Sequence, residues 1–217
     1  MNDSPMIVLR ALGALLTYPR PELRDALPEI AEVLRVSPLI TRQDRTALAG
    51  LVELLGDADP LWTEEQYVDM FDRGRATSLH LFEHVHGDTR ARGDAMVDLK
   101  ALYERAGFSV TANELPDYLP VVLEYLSCRD LTEAKAMLSD CAHILRAVGE
   151  ALHRRGSTYS VIFQALLTVA GEAALDRKAA SRRTSESEDL DREWIEQPAF
   201  GPQLPDSTGS APDIGGT

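Results

Sequence analysis

The chain has 217 residues, 44% of them hydrophobic, and its 22 Lys and Arg against 35 Asp and Glu give a formal net charge of −13 at pH 7. This size and hydrophobic content predict one body with a core of its own. The charge argues against nucleic-acid binding and anionic membrane surfaces, and favours cationic or amphipathic basic partners. The last forty residues, from Lys178, carry four basic and eight acidic side chains, so most of the negative charge belongs to the body.

Cysteine content and the N-terminal segment indicate the compartment. Cys128 and Cys141 are too few for a disulfide framework, which favours a reducing cytoplasm. The N-terminal apolar run lacks the basic region and the small-residue cleavage site of a signal peptide. No stretch approaches the ~18 to 20 apolar residues of a membrane span. We therefore expect a cytoplasmic protein without membrane insertion.

Apolar residues at helical spacing predict six helices in the first half of the chain, over about 5–18, 22–36, 41–55, 61–71, 78–86 and 88–106. Thr41 and Asp44 form a capping box at the start of the third helix. Thr77 or Ser78 is the predicted cap of the fifth. Gly56 and Gly107 follow the third and sixth helices as stop residues.

The second half predicts a helix within 113–126 after Pro116, one long helix over 131–155, and a last helix from Ser157 to about Val169. Period-two alternation is almost absent, and no repeat of fixed period is found. The predicted fold class is therefore all-α, with a single compact helical domain over residues 1–177.

Residues 178–217 are rich in Ser, Thr, Asp, Glu, Pro and Gly, which predicts a disordered acidic tail. Within this tail, Trp194, Ile195, Pro198 and Phe200 form a short apolar island at 194–200. The island either has no structural role or docks as a short linear motif.

One motif suggests catalysis. His80-Leu81-Phe82-Glu83-His84 spells H-x-x-E-H, in which two histidines at i and i+4 of a helix can bind zinc while the glutamate acts as general base. A zinc-dependent hydrolase is thus one alternative. The pattern lacks a marked third ligand, however, and short patterns with few fixed positions recur by chance. A half-buried amphipathic helix would carry the same residues.

A second group of residues suggests peptide binding. If 114–126 is helical, Glu114, Asp117, Val121 and Glu124 share one face, while Leu115, Leu119, Val122 and Leu126 form a core-facing one. Tyr118 and Tyr125 flank the acidic face. A solvated charged face is the commonest outcome for such a stripe, but aromatic walls with carboxylates also suit a cationic amphipathic helix.

Two long motifs resemble a known family. FDRGRATSLHLFEHVHGDTRARGDAMVDL (71–99) and ELPDYLPVVLEYL (114–126) look like the NarJ-type assembly chaperones of respiratory nitrate reductase, within the TorD-like group of redox-enzyme maturation proteins. The L-L-x-Y-P run at 15–19 and WIEQPAF at 194–200 are also similar to that type. The family signature E-P-x-D-H maps imperfectly onto 114–118, because the proline is displaced and Tyr118 replaces the histidine. Glu114 and Asp117 carry over, whereas a role for the histidine does not.

The resemblance implies an all-helical cytoplasmic chaperone with no catalytic activity, metal or cofactor of its own. It would bind the N-terminal leader of the nitrate reductase α subunit, support molybdenum cofactor insertion before membrane docking, and touch a second site on the client. Molybdenum cofactor biosynthesis proteins are further candidate partners. An adaptor for another cationic helix remains an alternative. The predicted peptide-binding residues are Tyr67, Phe71, Arg75, Phe82, Glu83, His86, Glu114, Asp117, Tyr118, Val121, Glu124 and Tyr125.

Overall fold

The computed structural model describes residues 5–86, 90–110 and 114–176. Residues 177–217, with the predicted tail and its apolar island, lie outside this range. The helices are α1 (Ile7–Leu15), α2 (Pro21–Val36), α3 (Arg42–Asp57), α4 (Pro60–Phe71), α5 (Leu81–His86), α6 (Arg90–Arg105), α7 (Leu119–Ser127), α8 (Leu131–Asp140), α9 (Ala142–Arg154) and α10 (Ser160–Ala170). The described residues form no strand, only an isolated antiparallel bridge between His80 and Tyr118. The all-α prediction is confirmed.

Two helices organise the core. α1 buries Val8, Leu9, Leu12 and Leu15 completely and packs against α2, α7 and α10. Gly13 allows the approach to α7, because a Cβ there would lie 3.2 Å from Leu123 Cβ and 3.3 Å from the Pro120 carbonyl oxygen. In the second half, α10 is nearly all apolar and packs against α3, α8 and α9. Within the described ranges, no helix is long and apolar enough to cross a membrane.

Helix starts follow local hydrogen bonding. The predicted capping box of α3 is confirmed, since Thr41 Oγ1 accepts from Asp44 N at 3.1 Å and Asp44 Oδ2 accepts from Thr41 N at 3.0 Å. The start of α5 is later than predicted. Residues 75–77 form a 3-10 turn instead, and Ser78 Oγ accepts a hydrogen bond from His80 N, which leaves His80 ahead of the helix.

The predicted helix over 131–155 is wrong, because the chain breaks at Cys141 into α8 and α9. There the Cys141 N–H reaches Met137 O only at 3.4 Å, and the thiol donates to Leu138 O. Burial raises the pKa of this thiol to about 12, so it keeps its proton. Leu138 and Leu145 stand at helical spacing on both sides of the break, so periodicity gave no sign of it.

The prediction of an acidic face on a helix over 114–126 is also wrong. α7 begins at Leu119 with Pro120 in its first turn, so Glu114 and Asp117 precede the helix and share no face with Val121 and Glu124. Leu115, predicted to be core, is 46% exposed. The physical reason is that residues 117–119 hydrogen-bond to residues 79–82, which holds Asp117 and Tyr118 in an extended pairing before the helix begins.

Replacing glycine by alanine should have opposite effects on stability at two positions. A Cβ on Gly149 in α9 would lie 2.8 Å from Phe163 Cβ and 2.9 Å from Leu175 Cδ2, whereas a Cβ on Gly50 in α3 meets nothing within 4 Å. We expect Gly149→Ala to lower the free energy of unfolding by about 1 to 3 kcal/mol through overpacking. The matched control Gly50→Ala should raise it by about 0.5 to 1 kcal/mol. Urea unfolding measures both, and a neutral Gly149→Ala would contradict the close α9–α10 packing.

Candidate peptide-binding groove

A buried carboxylate lies at the centre of the site. Asp117 is 0% exposed, and its Oδ2 accepts a hydrogen bond from Phe82 N at 3.1 Å. Its Oδ1 lies 3.2 Å from His80 Nδ1, and Arg92 approaches Oδ2 at 3.9 Å. A buried charge is strongly unfavourable without such partners. Asp117 therefore fixes the loop before α7 against the start of α5.

Backbone hydrogen bonds reinforce this junction. Leu119 N donates to Leu79 O at 2.8 Å, and Leu81 N donates to Asp117 O at 3.1 Å, on either side of the His80–Tyr118 bridge. The His80 and Tyr118 rings also face each other, with centroids 5.3 Å apart. Two segments separated by almost forty residues are thus held in one register.

Glu83 connects the junction to α6. Ser78 Oγ donates to Glu83 Oε2 at 2.6 Å, and Arg92 Nη2 donates to Oε1 at 3.2 Å. Burial raises the pKa of Glu83, but the Ser78 hydrogen bond and the Arg92 charge outweigh it, so the pKa lies below its ordinary value. Arg92 accordingly sits between two carboxylates, Glu83 and Asp117.

Aromatic side chains form a wall beside the junction. The buried Tyr67 donates from its hydroxyl to Leu16 O at 2.9 Å, and the Tyr118 hydroxyl lies 3.2 Å from that of Tyr67. The Tyr67 ring packs on Phe71 at 4.9 Å and meets Tyr18 edge-on at 5.5 Å. Burial raises the pKa of both Tyr67 and Tyr118, so both hydroxyls remain protonated donors.

Two adjoining clefts open around Tyr118. The first, here the aromatic cleft, has a volume of about 440 Å³ and is lined by Tyr67, Phe71, Asp72, Ser78, Leu79, His80, Glu114, Leu115 and Tyr118. The second, the α1–α7 cleft, measures about 830 Å³ and is lined by Arg10, Gly13, Ala14, Thr17, Tyr18, Arg20, Glu22, Leu23, Ala26, Glu114, Tyr118, Pro120, Val121 and Glu124. Glu114 and Tyr118 belong to both clefts, so together they form one groove.

The groove combines apolar floor with excess negative charge. Its floor in the α1–α7 cleft consists of small and aliphatic residues, among them Gly13, Ala14 and Val121. The carboxylates on the two linings outnumber the guanidinium groups by four to two. They are Glu22, Asp72, Glu114 and Glu124, against Arg10 and Arg20. Such a surface is complementary to an amphipathic segment with net positive charge.

The structure places eleven of the twelve predicted residues, in three different locations. Six of them line the groove: Tyr67, Phe71, Glu114, Tyr118, Val121 and Glu124. Four others, Arg75, Phe82, Glu83 and Asp117, lie at the junction behind it, where Arg75 donates to the Glu83 carbonyl. Tyr125 belongs to a separate cluster with Tyr103 and Phe108, and its hydroxyl donates to Glu133. The side chain of His86 lies outside the described part of the structure.

The contribution of α1 and α2 to the groove was not predicted. Arg10, Tyr18, Arg20 and Glu22 line the α1–α7 cleft, yet the sequence marked this region only as core helices. The small pair Gly13-Ala14 within the largely apolar α1 was the available signal, because small residues permit close approach.

The zinc hypothesis fails on geometry. His80 precedes α5, so His80 and His84 do not share a helix face as the motif requires. His84 donates from Nε2 to Ser78 O at 2.9 Å, while His80 and Glu83 bond to Asp117, Ser78 and Arg92. Among the described residues, no group of three or more His, Cys, Asp or Glu side chains is placed to hold a metal ion.

Comparison with known proteins gives consistent matches. Residues 37–165 match the family model described as nitrate reductase delta subunit. The chain is 42% identical to the nitrate reductase molybdenum cofactor assembly chaperone NarJ of Escherichia coli (strain K12) over 197 residues, which cover 88% of this chain and 84% of that protein. It is 37% identical to the probable chaperone NarW of the same strain over 88% of this chain and 82% of that protein. The probable NarJ of Bacillus subtilis (strain 168) is 32% identical over 74% of this chain and 86% of that protein.

The first prediction for the site concerns the buried carboxylate. In Asp117→Asn, one carboxylate oxygen is replaced by an NH2 group, which cannot accept a hydrogen bond and therefore leaves at least one of the surrounding donors without its acceptor. We expect the free energy of unfolding to fall by about 1.5 to 3 kcal/mol, as for other charge-assisted hydrogen bonds. Asp98→Asn, at an exposed position of α6, is the matched control and should change it by less than about 0.5 kcal/mol. Equal stability of the two variants in urea would show that Asp117 does not hold the junction.

Glu83 should contribute to stability in a pH-dependent manner. Its pKa is depressed in the folded state, so its contribution is complete above its ordinary pKa of about 4.3 and is lost as pH falls through the lower folded-state value. The stability difference between wild type and Glu83→Gln should therefore be largest near neutral pH and shrink below about pH 4.3. Urea unfolding at several pH values measures it. A difference that grows on acidification would contradict the assigned direction.

Proposed function

Because the chain belongs to the nitrate reductase delta subunit family as a NarJ-type assembly chaperone, we propose that it binds the N-terminal leader of the nitrate reductase α subunit in the groove around Tyr118. The family is one of assembly chaperones rather than enzymes. In this proposal the chaperone acts in the cytoplasm, keeps the subunit competent for molybdenum cofactor insertion, and delays membrane docking until maturation is complete. It also contacts the client at a second site.

The observation that carries the proposal is the joining of two different clefts at Glu114 and Tyr118. The aromatic cleft offers Tyr67, Phe71 and Leu79, which suit a large apolar side chain at one end of a helix. The α1–α7 cleft offers small and aliphatic residues, among them Gly13, Ala14 and Val121, along which the apolar face of that helix can lie. A short amphipathic helix would use both.

Charge supports a cationic ligand. Glu22, Glu114 and Glu124 stand around the α1–α7 cleft, where they can orient basic side chains and raise the association rate. Asp117 takes no direct part, because its carboxylate is already bonded to the protein. Its role in the proposal is to hold Glu114 and Tyr118 in place.

The protonated hydroxyls of Tyr67 and Tyr118 give the groove further specificity. Because Tyr67 donates its one hydroxyl proton to Leu16 O, the Tyr118 hydroxyl donates to Tyr67 at 3.2 Å. Its oxygen can therefore accept a hydrogen bond from an N–H group of a bound peptide. Apolar burial then supplies most of the affinity, and carboxylates and hydroxyls supply orientation.

Leader binding should depend on salt and on single carboxylates. We expect the affinity for a synthetic leader peptide to fall as ionic strength rises from about 50 to 500 mM. Glu114→Gln and Glu124→Gln should each weaken binding by about two- to fivefold at low salt, as for partly exposed ion pairs. Isothermal titration of the full-length chain measures this.

Glu53→Gln provides the control, because it makes the same charge change at an exposed position of α3 outside both cleft linings. It should leave the affinity unchanged. An affinity for the leader peptide that changes neither with salt nor with the Glu114 and Glu124 substitutions would indicate a purely apolar groove. Absence of binding to the wild-type chain would overturn the proposal itself.

A further inference from the structure

A third cleft adjoins the groove around Tyr118. It lies between α1 and α2, here the α1–α2 cleft, and has a volume of about 260 Å³. Arg10, Ala14 and Ala26 line both this cleft and the α1–α7 cleft. The two clefts are therefore parts of one surface, just as Glu114 and Tyr118 join the α1–α7 cleft to the aromatic cleft.

One face of α2 lines both clefts without interruption. Leu23 and Ala26 belong to the α1–α7 cleft, and Ala26, Ile30 and Val33 belong to the α1–α2 cleft. These positions have the three- and four-residue spacing of a single helix face. At about 1.5 Å per residue, the distance from Leu23 to Val33 along the helix is about 15 Å, or nearly three turns.

α1 provides the other side of the α1–α2 cleft. Ile7, Ala11 and Ala14 line it at the same three- and four-residue spacing. Ala11 and Ala14 on α1 and Ala26 on α2 carry only a methyl group, so the space between the two helices stays open. The result is an apolar trough that follows the α1–α2 pair away from Tyr118.

The charge of this end differs from that of the aromatic end. Arg10 and Glu29 are the formally charged residues in the lining of the α1–α2 cleft, both are exposed, and their charges cancel. The lining of the aromatic cleft contains Asp72 and Glu114 but, among the described residues, no Lys or Arg. Basic side chains of a ligand are therefore attracted to the aromatic end, whereas the α1–α2 end favours uncharged apolar ones.

We propose that the α1–α2 cleft is the far end of the leader site and binds aliphatic side chains on a terminal turn of the bound helix. A helix in a groove is anchored through side chains at i, i+3, i+4 and i+7, which is the spacing of the α1 and α2 faces. This inference rests on the proposed leader binding. It adds that the leader must form at least about three helical turns to reach Val33.

Continuity of the surface identifies the occupant. A leader helix that lies on Ala14 and Ala26 in the α1–α7 cleft has the α1–α2 cleft directly beside it, because the same two residues line both. Extending the helix by one turn covers Ile30 and Val33, and this burial of apolar surface is favourable. One ligand therefore occupies both clefts.

Val33→Ala tests the inference with the full-length chain. Val33 lines the α1–α2 cleft but neither of the other two, so the substitution removes apolar contact at the far end only. We expect it to weaken binding of the synthetic leader peptide by about three- to tenfold, as for loss of a partly buried pair of methyl groups. Isothermal titration measures the affinity, and urea unfolding confirms that the variant is folded.

Val36→Ala is the matched control. It makes the same change in the same helix, at a side chain that is 58% exposed and lines none of the three clefts. It should leave the affinity unchanged.

Shortened leader peptides locate the terminal turn. Removing four residues, about one turn, from one end of the peptide should lower its affinity for the wild type and abolish its sensitivity to Val33→Ala. Removing four residues from the other end should leave that sensitivity intact.

A measurement on the wild-type chain needs no variant. A nitroxide label is attached to either end of the leader peptide, and amide signals of the chaperone are recorded by NMR. One of the two labels should broaden the amides of Ala11, Ile30 and Val33, and the other should broaden those of Leu79 and Tyr118.

Three outcomes would overturn the inference. Val33→Ala could bind the leader as tightly as Val36→Ala, both shortened peptides could keep their sensitivity to Val33→Ala, or neither label could broaden Ile30 and Val33. Self-association of the wild type that Val33→Ala weakens, with leader affinity unchanged, would also overturn it and make this face an interface between copies. In each case binding of the leader by the wild type remains the separate test of the proposed function.

Discussion

The hydrogen-bonded burial of Asp117 is the constraint on which the groove depends. A carboxylate with no solvent exposure requires partners, and it finds them at Phe82 N, His80 and Arg92. These partners come from the start of α5 and from α6, whereas Asp117 itself precedes α7. One side chain therefore joins three parts of the chain. Glu114 and Tyr118, which line both clefts, take their positions from this junction.

The junction also explains why residues that resemble a catalytic motif serve a structural role. His80, Glu83 and His84 each bond to protein groups, and the H-x-x-E-H pattern reflects the pairing of two segments rather than a metal site. The family relationship agrees, because the NarJ and NarW relatives of Escherichia coli are named as assembly chaperones. The polar groups of this motif stabilise the junction behind the groove, while aromatic and small residues form the surface that a ligand would contact.

Local rules predicted much of the fold. Amphipathic periodicity identified the helices, and the Thr41–Asp44 box marked the start of α3. The errors occur where tertiary contacts override periodicity. Residues 114–118 have a helical pattern, but the buried pairing of Asp117 and the position of Pro120 delay α7 to Leu119. The break at Cys141 leaves the apolar spacing intact, so no sequence pattern could reveal it.

The candidate site was predictable only in part, because some of its residues are brought together by tertiary contacts. Aromatic and acidic residues of the two long motifs were expected to meet, and six of the predicted residues line the groove. Tyr125 packs instead with Tyr103 and Phe108 and donates to Glu133, tertiary contacts that spacing along the helix does not reveal. The α1 and α2 residues were missed because their part in the groove depends on packing between distant helices.

Backbone amide NMR of the full-length chain during addition of the leader peptide tests the central claim most directly. If the groove organised by Asp117 is the leader site, the largest shift changes fall on α1, on residues 79–82 and on residues 114–124. Changes confined to α8 and α9, with these segments unperturbed, would contradict the account.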